Sequence, residues 1–232
     1  MPDLLLLHGA LGAASTLYPL QQLLEADFTV HTLSIRGHGG GILSEEPFRI
    51  ERFAEDVLHY LDQHQLQKVN IFGYSMGGYV ALYLALRHPD RVGRIFTLAT
   101  KFAWSPDTAA KEVKMLQPEK VQEKVPAFAA ILAERHQPTN WQDVMRRTAD
   151  MMQHLGSHPP LTEENLSRIP VPVRVSVGDR DNMVSLQETA WAYQHLPNAS
   201  LQVFPDTHHP LEKVNLSQLQ HEIRQFFGEA SV

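Results

Sequence analysis

The chain has no cysteine. Disulfides, thiol nucleophiles and the commonest structural zinc ligands are therefore excluded. Basic charge is also in short supply, with 20 Lys and Arg against 26 Asp and Glu and a formal net charge of −6. The basic residues are scattered, and phosphate binding needs a concentrated positive surface, so no nucleic-acid partner is expected. No window approaches the roughly 18 apolar residues of a membrane span. The N-terminus leads straight into an apolar strand, without the basic start and long apolar stretch of a secretory leader, and the expected location is cytoplasmic. In that setting the Asn-x-Ser spacings at Asn165, Asn198 and Asn215 are not read as glycosylation sites.

What is present suits a globular enzyme-sized domain: 232 residues, 43% of them hydrophobic and 20% charged. Strand and helix patterns alternate as strand 3–7, helix 15–25, strand 28–34, helix 50–64, strand 68–72, helix 76–87 and strand 92–98. Such alternation, with nearly continuous apolar strands, predicts a doubly wound, mostly parallel sheet of about six strands with helices on both faces. The rhythm breaks between Lys101 and Arg168, where charged and helix-forming residues are punctuated by prolines and no strand is evident. A few short helices are expected there. Alternation resumes with strand 171–177, helix 185–195, strand 200–204 and helix 212–227.

The richest motif is Gly73-Tyr74-Ser75-Met76-Gly77, lying between a strand pattern and a helix pattern. A serine on such a turn is pushed into a cleft, and the first N–H groups of the following helix point at any oxyanion beside it. Three more strand ends carry polar residues. His8-Gly9-Ala10-Leu11-Gly12 follows the first strand, Gly178-Asp179-Arg180-Asp181 follows the fifth, and His208-His209 lies beyond the sixth. The chain order is Ser, Asp, His, each just after a strand, which is a spacing that serves nucleophilic acyl transfer. Spacing alone leaves Asp179 open beside Asp181, and His208 beside His209.

With these motifs the chain resembles the α/β-hydrolase superfamily from residue 3 to about 228. The likeness includes Arg36-Gly37-His38-Gly39 and the His88-Pro89 stop behind the helix that follows Ser75. There are two departures: Ser34 stands where many members carry Asp, and the loop continues as Gly40-Gly41 rather than Gly-Ser. The resemblance implies an α/β-hydrolase core over 1–100 and 169–232, and a small helical cap over 101–168. It implies Ser75 as nucleophile, His209 as base and Asp181 as the acid that orients it, with Asp179 stabilising its turn or pairing with Arg180. The oxyanion hole would come from the backbone N–H groups of Ala10 and Met76. His8 and His38 become loop-structuring residues.

Other readings fare worse. Gly37 to Gly41 lacks the spacing and the lysine of a phosphate loop. His154 and His158 have helical i, i+4 spacing, but Gly156, Ser157 and the Pro159-Pro160 pair predict a fraying helix, and no metal site is assigned. Phe102, Trp104, Phe128 and Trp141 could roof a pocket or pack within the cap, while Tyr74 and Met76 should line or support it. The expected protein is a serine hydrolase acting on a small, rather apolar acyl substrate without cofactor or metal. Lyase, cofactor-free haloperoxidase and vestigial ligand-binding members of the same fold remain as alternatives, and the oligomeric state is left open.

Overall fold

Four consecutive leucines, Leu4 to Leu7, are fully buried in β1 (Asp3–Leu7). Successive strand side chains face opposite ways, so a run without polar members needs cover on both sides. The computed structural model, which describes residues 1–228, supplies that cover. Leu5 and Leu7 join one apolar cluster while Leu4 and Leu6 join another. Ile71 and Phe72 divide in the same way in β3 (Val69–Tyr74), as do Ile95 and Phe96 in β4 (Val92–Leu98). Truncating any of these leucines to alanine would cost about 2–5 kcal/mol.

The remaining strands are β2 (Thr29–Leu33), β5 (Val173–Gly178) and β6 (Ala199–Phe204), all parallel, in the order β2-β1-β3-β4-β5-β6. Helices α1 (Tyr18–Leu24) and α10 (Leu216–Gly228) cover one face through Leu20, Leu24, Leu219 and Ile223. The other face is covered by α2 (Ile50–Gln63), α3 (Met76–Arg87) and α9 (Leu186–His195). In α2 the buried residues Ile50, Phe53, Ala54, Val57 and Leu61 follow the period of an amphipathic helix and turn one stripe to the sheet. From β1 the chain moves outward to β2 and then returns across it to β3. The carboxyl ends of β1 and β3 therefore flank the crevice where such sheets hold ligands.

Between β4 and β5 lie α4 (Pro106–Glu112), α5 (Pro118–Lys124), α6 (Pro126–His136), α7 (Trp141–Ser157) and α8 (Glu163–Ser167). Pro106, Pro118 and Pro126 each open a helix, where the missing N–H costs nothing.

The structure corrects two expectations. α7 does not fray before Ser157, because Gly156 lets it approach α4 closely. A Cβ there would come within 2.6 Å of the Ala109 Cβ. The terminal helix begins later than residue 212: Leu211–Lys213 is a 3-10 turn, and α10 starts after Asn215, whose Oδ1 accepts from Ser217 N and Gln218 N.

Candidate active site

Ser75 sits between β3 and α3 with φ 51 and ψ −114, a region that non-glycine residues rarely occupy. The corner is held from outside, since Ser75 N donates to Leu98 O at 2.8 Å and Thr100 Oγ1 donates to Ser75 O at 3.0 Å. Its glycines are required by space. A Cβ on Gly73 would strike the Gly78 backbone, and one on Gly77 would strike the Leu7 carbonyl of β1. The motif thus lets α3 start hard against the neighbouring strand with its first N–H groups beside the serine.

Asp181 and His209 meet at the ends of β5 and β6. His209 Nδ1 lies 2.8 Å from Asp181 Oδ2, with the Asp181 side chain fully buried and that of His209 10% exposed. The other carboxylate oxygen accepts from Met183 N and Val184 N, each at 2.8 Å. Burial pushes the Asp181 carboxyl upward, but the hydrogen bond and charge of His209 and the two N–H groups outweigh it, and its pKa is lowered. An ionised acceptor fixes Nδ1 as the protonated nitrogen and leaves Nε2 free to accept. Ser75 and His209 line one cleft together.

The competing neighbours go elsewhere. His208 is exposed. Asp179 accepts from Thr207 N at 3.1 Å, and this with a second N–H, from Asp206, lowers its pKa. Of the two roles open to Asp179, bracing its turn or pairing with Arg180, the contacts show the first, and Arg180 turns to another partner. Its Nε lies 2.9 Å from Asp206 Oδ1. Both contacts brace the acid turn against the histidine loop.

The cleft has two compartments that meet at Ser75, Ala10 and His209. One is narrow, about 50 Å³, and walled by apolar side chains including Met76, Tyr79, Trp104 and Leu155. The other is wider, about 340 Å³, and runs past Gly9, Tyr74, Phe128, Arg135 and Glu212. Helices α4, α6 and α7 thus form part of its walls. Of the four aromatic residues for which roofing and packing were both open, Trp104 and Phe128 line the cleft, whereas Phe102 and Trp141 are buried among apolar neighbours.

A scan of family models matches residues 2–153 to the alpha/beta hydrolase fold. The chain belongs to the α/β-hydrolase family. Among its relatives, the candidate carbamate hydrolase RutD of Caulobacter segnis is 26% identical over 225 residues, covering 86% of this chain and 82% of that protein. The probable alcohol acetyltransferase of Wickerhamomyces anomalus is 37% identical over 92 residues, 38% of this chain, and the match spans only 26% of that longer protein. Among solved structures, the α/β-hydrolase enzyme MGS-M2 from a Medee basin deep-sea metagenome library superposes with a TM-score of 0.83 at 16% identity. That superposition covers 100% of this chain and 90% of the other, and it speaks for the fold alone.

Where this chain departs from the α/β-hydrolase motif, local contacts account for the change. Ser34 Oγ accepts from Ala14 N at 3.0 Å, and a Cβ on Gly41, which stands in place of the serine, would come within 3.0 Å of the His38 carbonyl. His8 and His38 are buried in these loops. His8 Nδ1 donates to Gly9 O at 2.7 Å while Nε2 accepts from Ile35 N at 3.1 Å. His38 Nδ1 donates to Arg36 O, and its ring stacks on Phe48 at 5.3 Å. His154 and His158 stack on each other at 4.9 Å. No group of three or more His, Asp or Glu among the described residues is placed to hold a metal, and no described helix is long and apolar enough to cross a membrane.

Several contacts were not foreseen. Tyr74 Oη donates to the His209 carbonyl at 2.8 Å. Lys101 Nζ pairs with Glu112 at 3.1 Å and donates to Met183 O at 2.9 Å, tying α4 to the acid turn. Glu188 is buried, and its Oε1 accepts from Phe102 N and Ala103 N at 2.9 and 3.2 Å. Only Glu188 left a trace in the sequence, as the last member of a Ser185-x-x-Glu capping box.

Proposed function

We propose that this protein is a serine hydrolase that cleaves an ester or related acyl bond of a small, rather apolar substrate by way of an acyl-enzyme. The observation that carries this reading is the 2.8 Å pairing of His209 Nδ1 with the buried Asp181 carboxylate at the edge of a cleft that also holds Ser75. The match to a candidate carbamate hydrolase, over most of both chains, supports acyl chemistry of this kind.

In this mechanism the Ser75 hydroxyl attacks the substrate carbonyl carbon and passes its proton to His209 Nε2. The Asp181 carboxylate stabilises the imidazolium that results. Negative charge on the carbonyl oxygen is met by the backbone N–H groups of Met76, first in α3, and of Ala10 in the loop after β1. Collapse expels the leaving group, which takes the proton from His209. Water, deprotonated by the same nitrogen, then attacks the acyl-enzyme, releases the acid and restores Ser75. No step calls for a metal or an organic cofactor.

The test is fluorophosphonate labelling alongside hydrolysis of short p-nitrophenyl esters. The parent protein should be labelled and active, and Ser75→Ala neither. Absence of both labelling and turnover in the folded parent would favour a ligand-binding role, and turnover without labelling would favour chemistry that needs no acyl-enzyme.

A further inference from the structure

The two compartments are unequal, and the position of the histidine loop says which group each one takes. The leaving group must receive its proton from His209, so it departs on the side walled by that loop. Pro210, Leu211 and Glu212 all line the wider compartment, and none lines the narrow one. The acyl group is then left to the narrow compartment beside Met76. A space of about 50 Å³ holds only a few water-sized groups.

Behind that space lies a second, open groove of about 480 Å³, lined by Phe102, Pro159, Leu161 and Trp191 among others. Among the described residues, Trp104 alone lines both. It is a shared wall of the narrow compartment and of this groove, whose lining mixes apolar residues with Thr162, Ser185, Gln187 and Glu188. The wall is held in place through its backbone: Trp104 N donates to Phe102 O at 2.8 Å, and the buried Glu188 carboxylate grips the N–H groups of Phe102 and Ala103. The indole N–H itself is buried without an acceptor. No hydrogen bond sets the ring's position, so the ring serves by its shape.

We propose that Trp104 is the specificity-determining residue that limits this enzyme to short acyl groups by closing the acyl compartment off from the groove behind it. This rests on the acyl-transfer reading given above. The substrate class is accordingly an ester, or related acyl compound, with a short acyl chain and a bulkier leaving group. Glu188 is a positioning residue that acts on Trp104 through the backbone.

The experiment compares kcat/KM for p-nitrophenyl acetate, butyrate and octanoate in the parent, Trp104→Leu and Trp104→Phe, with fluorophosphonate labelling run in parallel. In the parent, octanoate should fall at least about tenfold below butyrate, since single methylenes in a tight pocket are worth that much. Trp104→Leu should raise the octanoate-to-acetate ratio by about tenfold or more, and Trp104→Phe by less. The Phe variant removes volume without breaking a hydrogen bond and keeps the test alive should the Leu variant fail to fold. A parent that turns over octanoate as well as acetate would overturn the proposal, as would an unchanged ratio in variants that still label. If the parent neither labels nor hydrolyses any ester, the acyl-transfer reading falls first and takes this one with it.

Discussion

The Tyr74 hydroxyl donates a 2.8 Å hydrogen bond to the backbone carbonyl of His209, joining the residue before Ser75 to the residue proposed to activate it. The two rings also lie 5.7 Å apart. Burial raises the phenol pKa, so the donor keeps its proton across the working range. Removing it leaves a carbonyl unsatisfied near a buried loop. Tyr74→Phe is expected to cost about 1–3 kcal/mol of stability and to lower kcat more than it changes KM, read by urea denaturation and steady-state kinetics. Unchanged kcat with unchanged stability would mean that the bond does not position His209.

Ser75 carries a conformation that costs roughly 1–3 kcal/mol. Alanine keeps that strain and glycine relieves it. Ser75→Ala and Ser75→Gly should both be inactive, with the Gly variant more stable than the Ala variant by about 1 kcal/mol in urea melts. The reverse order would show that the corner is not strained.

The turn after β5 holds two aspartates with different partners, His209 for Asp181 and the Thr207 N–H for Asp179. Asp181→Asn should lower turnover by something on the order of 10⁴, because the amide cannot stabilise a protonated His209. Asp179→Asn should leave kcat within a few-fold of the parent and act on the ordering of the Thr207 loop, visible as faster amide exchange there. A larger loss at Asp179 would reassign the acid.

His209→Ala should abolish fluorophosphonate labelling, while His208→Ala, at an exposed position, should retain it. The opposite result would move the base by one residue.

Acid should unfold the protein from the histidine cluster. Burial pulls His8 and His136 from an ordinary 6.5 down to about 4, and holds His38 well below its usual value. Protonation would also spoil acceptor bonds, since His8 Nε2 accepts from Ile35 N and His136 Nδ1 accepts from Gly39 N. The unfolded chain binds protons near pH 6.5 where the folded one does not. Their stabilisation is therefore complete above about pH 6.5 and is lost as pH falls toward 4. Asp181, whose pKa is lowered, loses its contribution only below the ordinary carboxylate value. Urea midpoints that stay flat between pH 7 and 5 would contradict this account.

The sequence made the sheet legible because both-face burial writes itself as unbroken apolar runs, as in Leu4 to Leu7. The elbow was legible because its glycines answer to local crowding. At Asp181 and His209, spacing left each beside a rival, and resemblance supplied the choice. The rest depends on partners distant in the chain. Glu188 reaches Phe102 across 86 residues, and nothing local marks Lys101 and Glu112 as a pair. The helix signal at Gly156 was misleading because the glycine makes room for a neighbouring helix. The late start of α10 hangs on an Asn215 side chain whose spacing also suits other uses.

Leu11, one residue past Ala10, has φ 58, and its carbonyl receives both Arg135 Nη1 at 2.8 Å and His136 Nε2 at 3.1 Å from α6. The helical insert is thus a support for the loop proposed to hold the oxyanion as well as a wall of the cleft. Exchanging it wholesale for that of a relative would withdraw both donors at once and slacken the loop while redrawing the pocket. In the proposed mechanism one insert therefore bears on both substrate range and chemical competence. New specificities are expected to arise by single changes in the compartment walls, with α6 passed on intact.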